Sequence, residues 1–269
     1  MSAVVVITGA AGGIGSAMAR RWARAGARLA LMDIDASRLG ALCDALGANG
    51  QPTLRLPCDV TDPAACRAAL AEVVAAWGGV DVVVANAGGT HVSFVADTDP
   101  SVFRRVMDLN FFGAVHVATA ALPSLRARGG RIAVISSVAG FGPLAGRSGY
   151  AASKHALHGF FESLRGELAG EGVSVTLVCP SFVRTDIGSR ALGGDGGLAT
   201  EPRTELGRAM DPDTVADRVF RAVEGRRRLV VLGAVGKMAW WASRFAPRLY
   251  EAVMIRRLTR AQAAGRAEA

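Results

Sequence analysis

The run Val4-Val5-Val6-Ile7 passes directly into Thr8-Gly9-Ala10-Ala11-Gly12-Gly13-Ile14-Gly15. An unbroken β-branched run is the pattern of a parallel strand buried on both faces, and such a strand needs helices above and below it. Residues from about Ser16 to Ala25 then read as a helix. Glycines at 9, 13 and 15 let the backbone turn tightly and approach a pyrophosphate, which a helix N-terminus attracts. A second strand, residues 28–32, ends in Asp33, 18 residues past Gly15. That is close to the spacing of about 20 expected for a carboxylate that bonds a ribose. Strand, turn, helix, strand and acid, in this order, predict a dinucleotide site that includes Gly9, Gly13, Ile14, Gly15 and Asp33.

A second constellation is Ser148-Gly149-Tyr150-Ala151-Ala152-Ser153-Lys154, preceded by Ser136-Ser137. Residues four apart share a helix face, so Tyr150 and Lys154 present their polar ends together. An ammonium held beside a phenol favours the phenolate and suits it to acid–base work near neutral pH. Ser137 lies 13 residues upstream of Tyr150, at the end of the apolar run Ile132-Ala133-Val134-Ile135. From there it can hydrogen-bond the same substrate oxygen as the tyrosine. A bare Tyr-x-x-x-Lys means little alone, and its weight comes from the glycine turn upstream.

Together these segments resemble the short-chain dehydrogenase/reductase family, in its single-domain branch, over roughly residues 3 to 233. The glycine turn matches that family's Thr-Gly-x-x-x-Gly-x-Gly, and Asn86-Ala87-Gly88 matches its Asn-Ala-Gly motif. Asn110, Ser137, Tyr150 and Lys154 match its catalytic set in identity, order and spacing. Pro180-Ser181-Phe182-Val183-Arg184-Thr185 resembles its Pro-Gly-x-Val-x-Thr segment, with serine replacing glycine. The resemblance implies an α/β fold, a doubly wound (Rossmann) seven-stranded parallel sheet in one domain, residues 1–233, followed by a basic amphipathic extension, 234–269. It further implies hydride transfer between a nicotinamide cofactor and a secondary alcohol or ketone.

In that family Asn110 holds a water that links the lysine to solvent, Lys154 binds the nicotinamide ribose, and Asp59 and Val60 line the adenine pocket. Asn86, Ala87 and Gly88 pass the ribose, and Pro180, Val183 and Thr185 lie over the nicotinamide. Asp33 favours NAD over NADP, because a carboxylate repels a 2′-phosphate; no Arg or Lys lies in the glycine turn or directly after Asp33. Two alternatives are an NADP-dependent ketone or 3-oxoacyl reductase, which Asp33 opposes, and a non-catalytic dinucleotide sensor, which the complete catalytic set opposes. Pairing of helices into a homodimer or homotetramer is also implied.

The rest of the chain sets limits. Pro100 opens a long helix expected to run through Leu122, with Asn110 in its middle. His91 is expected at the pocket mouth. Val138, Phe141, Leu144, Phe182 and Ile187 point to a bulky apolar alcohol or ketone. Five glycines between Gly188 and Gly197 erase any periodicity, so residues 186–210 are read as a mobile substrate lid. The first strand begins at once, leaving no room for a signal peptide, and no uninterrupted apolar stretch reaches about 18 residues. Cys43, Cys58, Cys66 and Cys179 lack metal-ligand spacing and read as reduced thiols of a cytoplasmic protein; no metal is expected.

The formal charge of +8 is carried by the tail: from Arg226 onward ten Lys and Arg face two acids, while the preceding 225 residues hold 21 of each. Charge so placed argues against nucleic-acid binding and for a particular role of the C-terminus. There Trp240, Trp241, Phe245 and Tyr250 alternate with Arg244, Arg248, Arg256 and Arg257, and Pro247 is expected to divide two short helices. Such a segment suits peripheral contact with an anionic membrane, a wall for the substrate, or packing on its own domain or a partner subunit.

Overall fold

A computed structural model describes residues 2–200, 209–254 and 256. Seven strands form one parallel sheet: β1 Val4–Thr8, β2 Arg28–Asp33, β3 Thr53–Pro57, β4 Val82–Ala85, β5 Arg131–Ile135, β6 Ser174–Cys179 and β7 Leu229–Val231. Their spatial order is β3-β2-β1-β4-β5-β6-β7, the doubly wound arrangement. Successive side chains of β1 point to opposite faces, so Val4 and Val6 enter one core and Val5 and Ile7 the other. This two-sided burial is why the run carries no polar residue.

On the first face lie α3 (Pro63–Trp77), α5 (Gly113–Arg128) and α6 (Ser148–Glu167), and on the second α1 (Gly13–Ala23), α2 (Ala36–Gly47) and α7 (Pro212–Glu224). Aspartates start four helices. Asp35 caps α2, Asp62 caps α3, Asp99 caps α4 (Pro100–Met107) and Asp211 caps α7, each accepting a backbone N–H of the first turn. In the last three a proline follows, already set at the helical φ and lacking a donor that would go unused. At the foot of the sheet Asp81 accepts the Val4 N–H (2.7 Å) and two bonds from Arg128 (2.8 and 3.3 Å). Burial pushes its pKa up, but these bonds outweigh it and hold the carboxyl below its usual range.

One helix differs from expectation and another meets it. The helix opened by Pro100 runs on to Arg128 with Pro123 inside it, and a π turn, Asp108–Phe112, separates α4 from α5. By length and composition this run could cross a bilayer; its buried residues, Val102, Val106, Ala114, Val117, Ala118, Ala121 and Leu125, instead pack within the protein. The expected break at Pro247 is present: α8 (Ala234–Phe245) ends, Ala246 adopts φ −140° and ψ 57°, and residues 247–254 are again helical. A residue before proline is driven out of the α region by the pyrrolidine ring.

Candidate active site

The strand order reverses between β1 and β4, and in such sheets ligands bind beyond the strands' carboxyl ends at that point. There the Asn86 amide donates to the carbonyls of Thr8 (2.9 Å) and Gly9 (3.0 Å), and the Thr8 hydroxyl accepts the N–H groups of Asn86 and Ala87 (both 3.0 Å). Gly9 adopts φ +60°, and a Cβ on it would stand 2.8 Å from the Ala87 Cα. A Cβ on Gly15 would stand 2.1 Å from the Gly9 carbonyl oxygen, so no side chain fits there. No side chain caps the N-terminus of α1, and Gly12 and Gly13 at that end line the cavity. An uncapped helix end in a glycine cradle fits the pyrophosphate of a dinucleotide.

A cavity of about 1470 Å³ runs across this edge. Its wall includes Gly9, Gly13, Ile14, Gly15, Asp33, Asp59, Val60, Asn86, Ala87, Gly88, Ser137, Tyr150, Lys154, Pro180, Val183 and Thr185, every site residue expected from the sequence except Asn110. Asp33 accepts the N–H groups of Ala11 (2.9 Å) and Asp35 (3.0 Å), so it braces the glycine turn as well as facing the cavity. Asp59 both lines the cavity and closes a turn onto Thr61, with bonds of 2.9 and 2.8 Å.

Asn110 lies behind the wall, buried in the π turn. Its amide donates to the Gly89 carbonyl (3.0 Å) and the Ser153 hydroxyl (2.8 Å), while its Oδ1 accepts the Gly89 N–H (2.8 Å). Both amide hydrogens are thereby taken, and the side chain ties the loop after β4 to α6. π turns inside α-helices occur frequently at functional sites.

Tyr150 and Lys154 occupy the first two turns of α6. The Lys154 Nζ donates to the Ile135 carbonyl (2.9 Å) and lies 5.7 Å from the centre of the Tyr150 ring. Burial pulls its pKa below the usual lysine value, while the charges of Tyr150 and Cys179 work against that shift. The Ser137 hydroxyl accepts the Ala139 N–H (3.2 Å), which fixes the end of β5 beside the tyrosine helix.

Other groups here carry no motif in the sequence. Arg147, the residue just before α6, is buried with its guanidinium 4.7 Å from the Tyr150 ring centre and bonded to the Thr90 hydroxyl (2.9 and 3.2 Å). Behind Ser137, the His158 Nε2 lies 3.1 Å from the Ser136 hydroxyl and 3.5 Å from the Cys179 sulfur. Burial pulls the histidine pKa down against the pull of Glu162, and burial pushes the thiol up to about 12. Arg38 of α2 reaches the cavity wall near Asp33 and pairs with Asp186 (2.8 Å), which also pairs with Arg190 (2.9 Å). Arg38 lies five residues past Asp33 in the sequence, but only the fold reveals its acidic partner.

Three expectations need correction. His91 is not at the pocket mouth: it is fully buried, edge-on to Phe103 (5.5 Å). Phe141 is absent from the wall and turns edge-on to His158 (6.4 Å), whereas Val138, Leu144, Phe182 and Ile187 do line the cavity. The segment read as a mobile lid is, over residues 188–200, fastened to the loop after β4. Leu192 donates to Thr90 and accepts from Val92, and the Asp99 N–H donates to Gly194 (2.8–2.9 Å). A Cβ on Gly194 would stand 2.0 Å from the Asp97 carbonyl oxygen, so this glycine serves close packing rather than freedom. Residues 201–208 of that segment lie outside the described residues. The far end of the cavity is walled by the C-terminus, through Val235, Met238, Ala242, Leu249, Tyr250 and Val253.

Comparison with known proteins fits this geometry. A profile of the short chain dehydrogenase family matches residues 3–192. Dehydrogenase/reductase SDR family member 7B of Bos taurus is 37% identical over 266 residues, spanning 95% of this chain and 81% of that protein. A short chain dehydrogenase/reductase from Burkholderia phymatum, solved in complex with NAD, superposes with a TM-score of 0.77 at 27% identity over 86% of this chain and 88% of that one. An alcohol dehydrogenase from the archaeon Thermococcus sibiricus, complexed with 5-hydroxy-NADP, gives a TM-score of 0.74 at 27% identity over 86% and 95%.

Proposed function

This chain belongs to the short chain dehydrogenase family and is an oxidoreductase, and from that premise we propose that it interconverts a secondary alcohol and a ketone on a bulky apolar substrate, with NAD as cofactor. The observation that carries this reading is the convergence of Ser137, Tyr150 and Lys154 on the same cavity as the glycine turn and Asp33. Gly9, Gly13, Ile14 and Gly15 would hold the pyrophosphate, Asp33 the adenosine ribose, and Asp59 and Val60 the adenine. Asn86, Ala87, Gly88, Pro180, Val183 and Thr185 would surround the nicotinamide end. When bound, the nicotinamide supplies the hydride acceptor of the oxidative direction. Tyr150 takes the alcohol proton, and Ser137 donates to the substrate oxygen and fixes it. Lys154 holds positive charge beside the phenol and reaches the nicotinamide ribose, and Asn110 fixes the backbone between them.

NAD is preferred because the Asp33 carboxylate repels a 2′-phosphate, and the guanidinium best placed to offset it, Arg38, already has Asp186 as a partner. The complexes of similar proteins include both cofactor types, so the preference rests on these residues. An apolar substrate is supported by Val138, Leu144, Phe182, Ile187 and the C-terminal wall. We place the protein in the cytoplasm, where its four free thiols would stay reduced. We further propose a homodimer or homotetramer formed through α5 and α6.

A panel of secondary alcohols of increasing size, followed by NADH absorbance, tests the reading. Turnover that rises with apolar bulk and needs NAD is the expected result. No turnover with any alcohol or ketone, despite dinucleotide binding, would overturn it.

A further inference from the structure

We propose that the two C-terminal helical segments, α8 and residues 247–254, form a docking face for an anionic bilayer and bring the rim of the cavity against the lipid. On α8, Met238, Trp241 and Phe245 follow at intervals of three and four and therefore share one face. They are 66%, 58% and 73% exposed, and Leu249, one turn past the break, is 65% exposed. Trp241 stacks on Phe245 with ring centres 5.1 Å apart, so the face presents a continuous aromatic surface. Exposed apolar residues singly need no explanation, but a contiguous row does.

Met238, Leu249 and Val253 are both exposed and on the cavity wall, so they form its rim. The opposite side of α8 faces inward through Gly236, where a Cβ would stand 3.0 Å from the Val138 side chain. The segments are thus seated on the domain by one side and present the other to solvent.

Charge selects the occupant. Lys237, Arg244, Arg248 and Arg256 are exposed around this row, with Glu251 the acid among them. The described residues from Ala234 onward thus carry four bases against one acid, a net charge of +3. Two copies meeting by this face would oppose like charges, whereas an anionic surface meets them with complementary charge. Tryptophan beside basic residues is the composition of helices that lie in the bilayer interface. Docking does not depend on the reaction proposed above; delivery of an apolar substrate from lipid to the rim rests on that reading.

The test is flotation of the full chain with vesicles of phosphatidylcholine alone or with one third phosphatidylserine, in low and high salt. Binding is expected on the anionic vesicles, at least tenfold weaker on the neutral ones, and lost at about 0.5 M salt as the charges are screened. Trp241→Ser with Phe245→Ser should abolish it. Lys237→Glu with Arg248→Glu should weaken it at least about 25-fold, since each basic residue near such a surface contributes roughly fivefold. None of these four residues lies on the cavity wall, so dinucleotide binding by each variant reports an intact fold. Absence of binding to anionic vesicles, equal binding to both vesicle types, or binding unchanged in the Trp241/Phe245 variant would overturn the proposal. So would a soluble dimer that the same variant dissociates, which would assign the face to a second copy. A chain that floats but turns over no alcohol would sink the proposed reaction and leave the docking face intact.

Discussion

His91 offers a direct test of how this site is built. The ring is fully buried, and neither nitrogen has a hydrogen-bond partner among the described residues. Burial, then the nearby Arg147 guanidinium, holds its pKa below the ordinary histidine value, so the fold favours the neutral ring. Each unsatisfied buried group costs about 1–3 kcal/mol, which His91→Leu or His91→Phe would remove. Phenylalanine keeps the edge contact with Phe103 but risks overpacking of similar size, and leucine avoids that risk. The pH dependence is free of this ambiguity. Below about pH 6.5 the unfolded histidine takes up a proton more readily than the folded one, so the wild type loses stability as pH falls, by up to about 1.4 kcal/mol per pH unit. The variants lack the group. Urea unfolding at pH 7.5 and 5.5 should therefore show the variant-minus-wild-type difference moving in the variant's favour at the lower pH, by as much as about 1.4 kcal/mol. In thermal unfolding that corresponds to about 2–4 °C per kcal/mol. A difference independent of pH would refute the reasoning, because the imidazole would then titrate alike in the folded and unfolded chain.

Three further outcomes are expected. Tyr150→Phe should retain dinucleotide binding while turnover falls by about 10²–10⁴ or more, the usual worth of a positioned acid–base group; an active variant would remove Tyr150 from the mechanism. Asp33→Asn should narrow the ratio of kcat/KM for NAD over NADP, since the repulsion of the 2′-phosphate is gone, and equal values in the wild type would overturn the cofactor assignment. Gly15→Ala should abolish dinucleotide binding in a fluorescence titration, because its Cβ would meet the Gly9 carbonyl oxygen at 2.1 Å; unchanged affinity would show that the turn is not the cradle.

What could be read in the sequence was what is encoded locally. The β-branched run Val4–Ile7, the glycine turn and the helix start at Pro100 each state a backbone requirement within a few residues, and the seven-stranded sheet was implied by the family resemblance such motifs carry. Tyr150 and Lys154 were legible because helix geometry alone sets them together. Arg147 was not, because only the packing of α6 against the loop after β4 lays it over the Tyr150 ring. The pairing of Arg38 with Asp186 joins residues 148 apart and leaves no periodic trace. Glycines 188–197 misled because glycine permits both freedom and close approach, and which applies depends on what lies opposite, here the Asp97 carbonyl. His91 misled similarly, since nearness in sequence to Gly88 did not place its ring on the cavity side.

The π turn at Asp108–Phe112 has a geometric consequence for the long helix that contains it. One residue inserted into an α-helix advances everything after it by about 100° around the axis. The two halves are thereby put out of phase: α4 packs against α6, while α5 packs against α3 and β4. A helix of uniform pitch would carry one stripe, and this one carries two, set at an angle. Deleting any single residue between Asp108 and Phe112 would restore uniform pitch and rotate Ala114, Val117, Ala121 and Leu125 off the sheet together. The seat of Asn110 is therefore also the joint that lets one helix serve the substrate side of the molecule at one end and its core at the other.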